Sequence, residues 1–130
     1  MKSILLVEDD NFLVDIYKEK LKEAGFNIDV AFDGEEAVRR INEYRLPNFE
    51  NQTFWPDLIL LDMVLSHGDG WEILKKIKEW GGLEKTKVII LSNLGQKEDV
   101  KKGLEMGAVK YLVKAHYTPS QVVEEINKIF

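Results

Sequence analysis

The sequence contains no cysteine, which excludes disulfides, thiol catalysis and thiolate metal sites together. Its two histidines, His67 and His116, stand singly and suit loop or surface positions, not metal ligation. No apolar stretch approaches the roughly 20 residues of a membrane span. The opening Met1-Lys2-Ser3-Ile4-Leu5-Leu6-Val7 is no signal peptide either, because its apolar run stops at Glu8 after four residues. Positive charge is not in excess: 18 Lys and Arg against 23 Asp and Glu leave a net charge of -5, which is no footprint for nucleic acid. The expectation is a cytoplasmic protein that touches neither nucleic acid nor membrane directly.

The 130 residues, 45% hydrophobic and 32% charged, are enough for one ordered domain over 1–130 without staples. Three uninterrupted apolar runs, at residues 4–7, 58–61 and 88–91, suit strands buried on both faces, as in a parallel sheet covered by helices. Residues 27–31 and 109–113 are more mixed and suit edge strands. Helical spacing fills the intervals. Leu13, Ile16, Tyr17, Leu21 and Ala24 run to Gly25, and Asp33-Gly34-Glu35-Glu36 offers a capping box before Ala37, Val38 and Ile41. A second box at Asp69-Gly70-Trp71-Glu72 precedes Ile73, Leu74, Ile77 and Trp80. Val100 and Leu104 mark a helix beginning near Gln96, and Thr118-Pro119 opens one lined by Val122, Val123, Ile126 and Ile129. Residues 46–56 read as a long connection whose aromatics, Phe49, Phe54 and Trp55, cover the amino-terminal edge of the sheet. Five strands alternating with five helices predict an α/β fold, a doubly wound (βα)5 flavodoxin-like sandwich with a parallel sheet of order 2-1-3-4-5.

That order places the switch point between the first and third strands, and ligands of open α/β sheets bind there, beyond the carboxyl ends. Glu8, Asp9, Asp62, Ser92 and Lys114 emerge at this edge from four strand ends. Three crowded carboxylates repel one another unless a cation joins them. Oxygen ligands without histidine or cysteine favour Mg2+, or Mn2+, over zinc. Asp62 then suits a carboxylate nucleophile that forms an aspartyl phosphate, with Lys114, Ser92 and the metal meeting the phosphoryl oxygens.

Val7-Glu8-Asp9-Asp10, Leu60-Leu61-Asp62, Asp69-Gly70, Leu91-Ser92 and the Gly-Ala-Val-Lys-Tyr-Leu-Val-Lys of residues 107–114 together resemble the receiver domains of two-component response regulators. The resemblance covers nearly the whole chain in order. It implies Asp62 as phosphoacceptor, Asp9 as a direct ligand of Mg2+, Glu8 as a ligand through water, and the Val64 carbonyl as backbone ligand. It implies Ser92 as switch hydroxyl, Lys114 as phosphate partner, and Tyr111 as the aromatic that follows Ser92. The implied partners are a histidine kinase or phosphotransfer protein upstream and a protein target downstream, with a phosphorylation-dependent homodimer as a further form.

Three positions depart from the pattern. Ser66 stands where proline is usual, which is expected to loosen that loop but remove no ligand; Asn93 stands where a small residue follows the switch hydroxyl, which narrows access to Asp62; and Ala115 stands where proline, often cis, follows the lysine. A cis bond to alanine costs about 2.5 to 4 kcal/mol, so a trans bond and a differently aimed Lys114 are expected. A flavodoxin would need hydroxyls and glycine amides where Glu8-Asp9-Asp10 stand, and a haloacid-dehalogenase-like phosphohydrolase would need an acid where Val64 stands. The remaining alternative is a pseudo-receiver that binds partners without phosphorylation.

Overall fold

In the computed structural model, which describes residues 1–44, 55–81 and 84–130, the three uninterrupted apolar runs form the middle of a five-stranded parallel sheet. Its strands are β1 (Ser3–Val7), β2 (Asn27–Ala31), β3 (Leu58–Leu61), β4 (Lys87–Ser92) and β5 (Lys110–Val113). The helices are α1 (Asn11–Glu23), α2 (Gly34–Tyr44), α3 (Gly70–Trp80), α4 (Lys97–Glu105) and α5 (Pro119–Asn127). The strand order is β2-β1-β3-β4-β5, the expected one, with the mixed strands at the edges. A small antiparallel hairpin, Val64–Leu65 with Gly68–Asp69, lies between β3 and α3, and a 3-10 turn, Lys114–His116, follows β5.

Period-two alternation divides the core into two layers. Leu5, Val7, Ile59, Leu61, Val88 and Ile90 face Ala37 and Ile41 of α2 and Ile73, Leu74 and Ile77 of α3. Ile4, Leu6, Leu58, Leu60, Ile89 and Leu91 face Val14, Tyr17 and Leu21 of α1 and Val122 and Ile126 of α5. Each fully buried aliphatic side chain stabilises the fold by about 1.5 to 3 kcal/mol relative to exposure, so neither face of β1, β3 or β4 could carry a polar residue cheaply. This is why those strands read as unbroken apolar runs.

The helix ends follow the sequence with small shifts. Thr118 and Gln121 make the reciprocal capping box of α5, with Pro119 in the first turn. Asp33 accepts the Glu36 N–H at 2.8 Å, but Glu36 reaches back to the N–H of Phe32, not of Asp33. Asp69 caps α3 through the N–H of Trp71 at 2.9 Å. In α1 the fully buried positions are Val14, Tyr17 and Leu21, so Leu13 and Ile16 flank the inner face instead of centring it. Leu104, which marks α4 by its spacing from Val100, is 44% exposed. Helix α4 buries Gly103 instead, where a Cβ would stand 2.6 Å from Ile90 Cδ1 and 2.8 Å from Tyr111 Cδ2. The missing side chain lets α4 approach the sheet.

At the amino-terminal edge Trp55 packs, tilted, between Tyr44 and Trp80, with ring centroids 6.2 and 5.4 Å away, and covers that end of the sheet as expected. Phe49 and Phe54 lie outside the described residues. Among the described residues no helix is long and apolar enough to cross a membrane.

Candidate functional site

The register of β1 against β3 sets Val7 opposite Leu61, so the residues that follow, Glu8 and Asp62, leave the sheet side by side. The backbone continues the ladder one step further: Asp62 N–H donates to the Val7 carbonyl at 3.1 Å. Among the described residues four polar side chains are buried: Glu8, Asp62, Ser92 and Thr86. Thr86 is accounted for by a 2.7 Å bond to the Pro56 carbonyl at the opposite edge. The other three stand together at the carboxyl edge, where burying polar groups requires partners.

Lys114 supplies one. Its Nζ lies 2.7 Å from Glu8 Oε2 and 2.7 Å from Asp62 Oδ2. The Lys114–Ala115 peptide is trans, as expected, but the side chain is aimed into the acids and not away from them. Burial pulls the Lys114 ammonium down, yet its hydrogen bonds to Asp62 and Glu8 outweigh this and leave its pKa above the ordinary value. Burial pushes the Glu8 carboxyl up despite the lysine, and the neighbouring Asp62 charge adds to the rise.

The three consecutive acids have three different tasks. Glu8 turns inward to Lys114. Asp9, more exposed, accepts the Ser66 N–H at 2.9 Å. Asp10 caps α1 through the N–H groups of Phe12 and Leu13 at 3.0 and 3.2 Å. One carboxylate oxygen each from Glu8, Asp9 and Asp62 lie within 4.8 Å of one another. Three carboxylates against one lysine leave this cluster formally negative, and its donors are all oxygen, which suits a hard divalent cation such as Mg2+ or Mn2+.

The cluster opens on a cleft of about 340 Å3, lined also by Leu13, Val64, Asn93 and Leu94. Val64 is 58% exposed at its rim. Ser92 lies under the floor, its hydroxyl accepting the Leu94 N–H at 3.3 Å. The Tyr111 hydroxyl donates to the carbonyl of the same Leu94, and burial, with the charges of Asp99 and Asp62, pushes its pKa up to about 12. One backbone residue thus joins Ser92 to Tyr111. The candidate site residues of the sequence are therefore found at this edge, and His67 and His116 are exposed. Sequence reasoning missed Leu13 and read Ser66 only as loosening its loop, whereas its N–H and carbonyl are both bonded. Leu13 could have been found one turn past the Asp10 cap, whereas Ser66 contributes a backbone N–H that no side-chain pattern reveals.

Residues 4–127 match the family model described as the response regulator receiver domain. The chain belongs to this family. The receiver domain is similar to chemotaxis protein CheY of Halobacterium salinarum, at 33% identity over 98% of this chain and 96% of that protein. It is similar to the probable transcriptional regulator ycf29 of Porphyra purpurea, at 34% identity over 98% of this chain and 56% of that protein. The chain thus spans about half the length of the transcriptional regulators among its relatives. Among solved structures, the Mn(2+)-bound form of response regulator Rcp1 superposes with a TM-score of 0.82 at 30% identity, covering 98% of this receiver domain and 93% of that chain.

Proposed function

We propose that residues 1–130 act as a single phosphoacceptor receiver domain, in which Asp62 takes a phosphoryl group from a histidine kinase or phosphotransfer protein. The observation that carries this reading is the convergence of Glu8, Asp9 and Asp62 within 4.8 Å beside an ammonium shared between two of them. The cation would be held by Glu8, Asp9, Asp62 and the carbonyl of Val64. When bound, Mg2+ or Mn2+ supplies positive charge to the phosphoryl oxygens; the Mn(2+)-bound form of Rcp1 supports that choice of ion.

In the transfer, an Asp62 carboxylate oxygen forms the new bond to phosphorus as the phosphorus–nitrogen bond of the donor phosphohistidine breaks; the nitrogen keeps the bonding pair, and the imidazole, protonated at its other ring nitrogen, leaves neutral. Lys114 then meets one equatorial oxygen, a positioning and charge role typical of phosphoryl transfer. Ser92 reaches another by giving up its contact with Leu94, and Tyr111, tied to the same Leu94, follows. The consequence is a population shift of the surface formed by α4, β5 and α5 toward a form that binds a protein target or a second copy of the chain.

The test is incubation with Mg2+ and a small phosphodonor. Wild type gains one phosphoryl mass and Asp62→Asn gains none. Absence of the adduct on wild type leaves the alternative, a pseudo-receiver that engages partners without phosphorylation.

A further inference from the structure

Ser66 occupies the position where the family pattern has proline, and the substitution gives the chain a backbone N–H that a proline would lack. That N–H is used: it donates to Asp9 Oδ2 at 2.9 Å. We propose that Ser66 is a positioning residue for the divalent ion, its amide fixing the Asp9 carboxylate beside Glu8 and Asp62. The proposal rests on the metal-assisted reading given above. Groups that hydrogen-bond a ligating carboxylate orient it, and losing one typically weakens metal binding by about 10- to 100-fold.

The donor is held from both sides. The Ser66 carbonyl accepts the Gly34 N–H at 3.0 Å, so the same residue ties the acid cluster to the start of α2. Next to it the hairpin lies backbone to backbone on that helix: a Cβ on Gly34 would stand 2.5 Å from Gly68 Cα and 2.8 Å from the His67 carbonyl oxygen. His67 takes the left-handed conformation, φ 48°, to close the turn. At the far end Asp69 caps α3, and Gly70 N–H donates to the Met63 carbonyl at 3.2 Å. The amide is therefore presented to Asp9 by two helix starts and not by a free loop, and Asp9, the most exposed acid of the three, is the one that needs orienting.

Calorimetric titration with MgCl2 alone, on wild type, Ser66→Ala and Ser66→Pro, tests this. Ser66→Ala keeps the N–H and binds as wild type does. Ser66→Pro removes it and binds at least about tenfold more weakly. Equal or tighter binding by Ser66→Pro overturns the proposal; tighter binding would mean that the amide competes with the ion. No Mg2+ binding by wild type would remove the underlying reading instead. Should the proline variant not fold, amide hydrogen exchange of wild type decides: protection of the Ser66 N–H is retained or increased with Mg2+, and its loss overturns the assignment.

Discussion

Lys114 Nζ stands 2.7 Å from Glu8 Oε2, a contact made across 106 residues of chain. It ties the end of the last strand to the end of the first, and its second contact, to Asp62, draws in the third. Removing the ammonium leaves two buried carboxylates facing each other. Breaking a buried pair from one side typically costs about 3 to 5 kcal/mol, and the lower end applies here because Glu8, with its raised pKa, can take up a proton. Urea denaturation in chelator is expected to show Lys114→Met less stable by about 3 kcal/mol. Saturating Mg2+ restores more stability to the variant than it adds to wild type, since an ion that binds only the folded state stabilises by mass action. An equal increment in both would show that Lys114 and the ion do not share these oxygens.

Two glycines test how closely helices approach the switch. A Cβ on Gly70 would lie 2.4 Å from Met63 Cα and 2.6 Å from the Asp62 carbonyl oxygen, both backbone atoms that cannot step aside. At Gly103 the obstructing atoms belong to side chains, the Ile90 Cδ1 methyl and the edge of the Tyr111 ring. Overpacking costs about 1 to 3 kcal/mol, and alanine in a helix recovers about 1. Gly103→Ala is therefore expected to lose about 1 kcal/mol net, and Gly70→Ala to reach the upper end, about 3. Denaturation midpoints with unchanged slope check both values; the reverse ranking would contradict the packing argument.

What could be read in advance follows from which forces are local. The sheet order was legible because β1, β3 and β4 are buried on both faces, which leaves an unbroken apolar signature, while β2 alternates. The site acids were legible because they sit where those signatures stop. Leu104 marks α4 by its spacing from Val100, yet Gly103, whose smallness carries no periodic signal, is what the sheet contacts. The return bond to Glu36 is donated by the Phe32 N–H because the box closes one residue early, a choice of backbone geometry. Ser66 acts through its amide, so only the absence of proline hinted at it.

The lifetime of the proposed phosphoryl group depends on whether water can be oriented over Asp62. Val64 and Leu94 line the cleft, two residues past Asp62 and Ser92, and neither side chain can hold a water by a hydrogen bond. Self-dephosphorylation is expected to be slow. Val64→Asn combined with Leu94→Glu introduces such groups and should speed decay by about two orders of magnitude or more, within the 10²–10⁴ range of general acid–base assistance. Decay of the phosphoprotein mass over time measures it, and an unchanged rate would show that water is positioned by something else in the cleft.

Tyr111 offers a pH-dependent readout of the coupling through Leu94. Its hydroxyl donates to the Leu94 carbonyl, so only the neutral phenol makes the bond, and burial has pushed its pKa from 10.0 to about 12. A group whose pKa is raised on folding contributes stability that is complete below the unfolded value and is lost as pH rises through the folded one. The contribution of Tyr111 is therefore full below pH 10 and disappears toward pH 12. Tyr111→Phe lacks the bond, loses about 1 kcal/mol at neutral pH, and lacks that alkaline decline, so the two stability curves converge as pH rises. Absorbance after rapid pH jumps, recorded before unfolding, should find one phenolate component near pH 12 in wild type that is missing in the variant. If that component titrates near 10.0 instead, the Tyr111 phenol is not buried beside Asp99 and Asp62, and the path from Ser92 to the α4 and β5 surface has to run through other contacts.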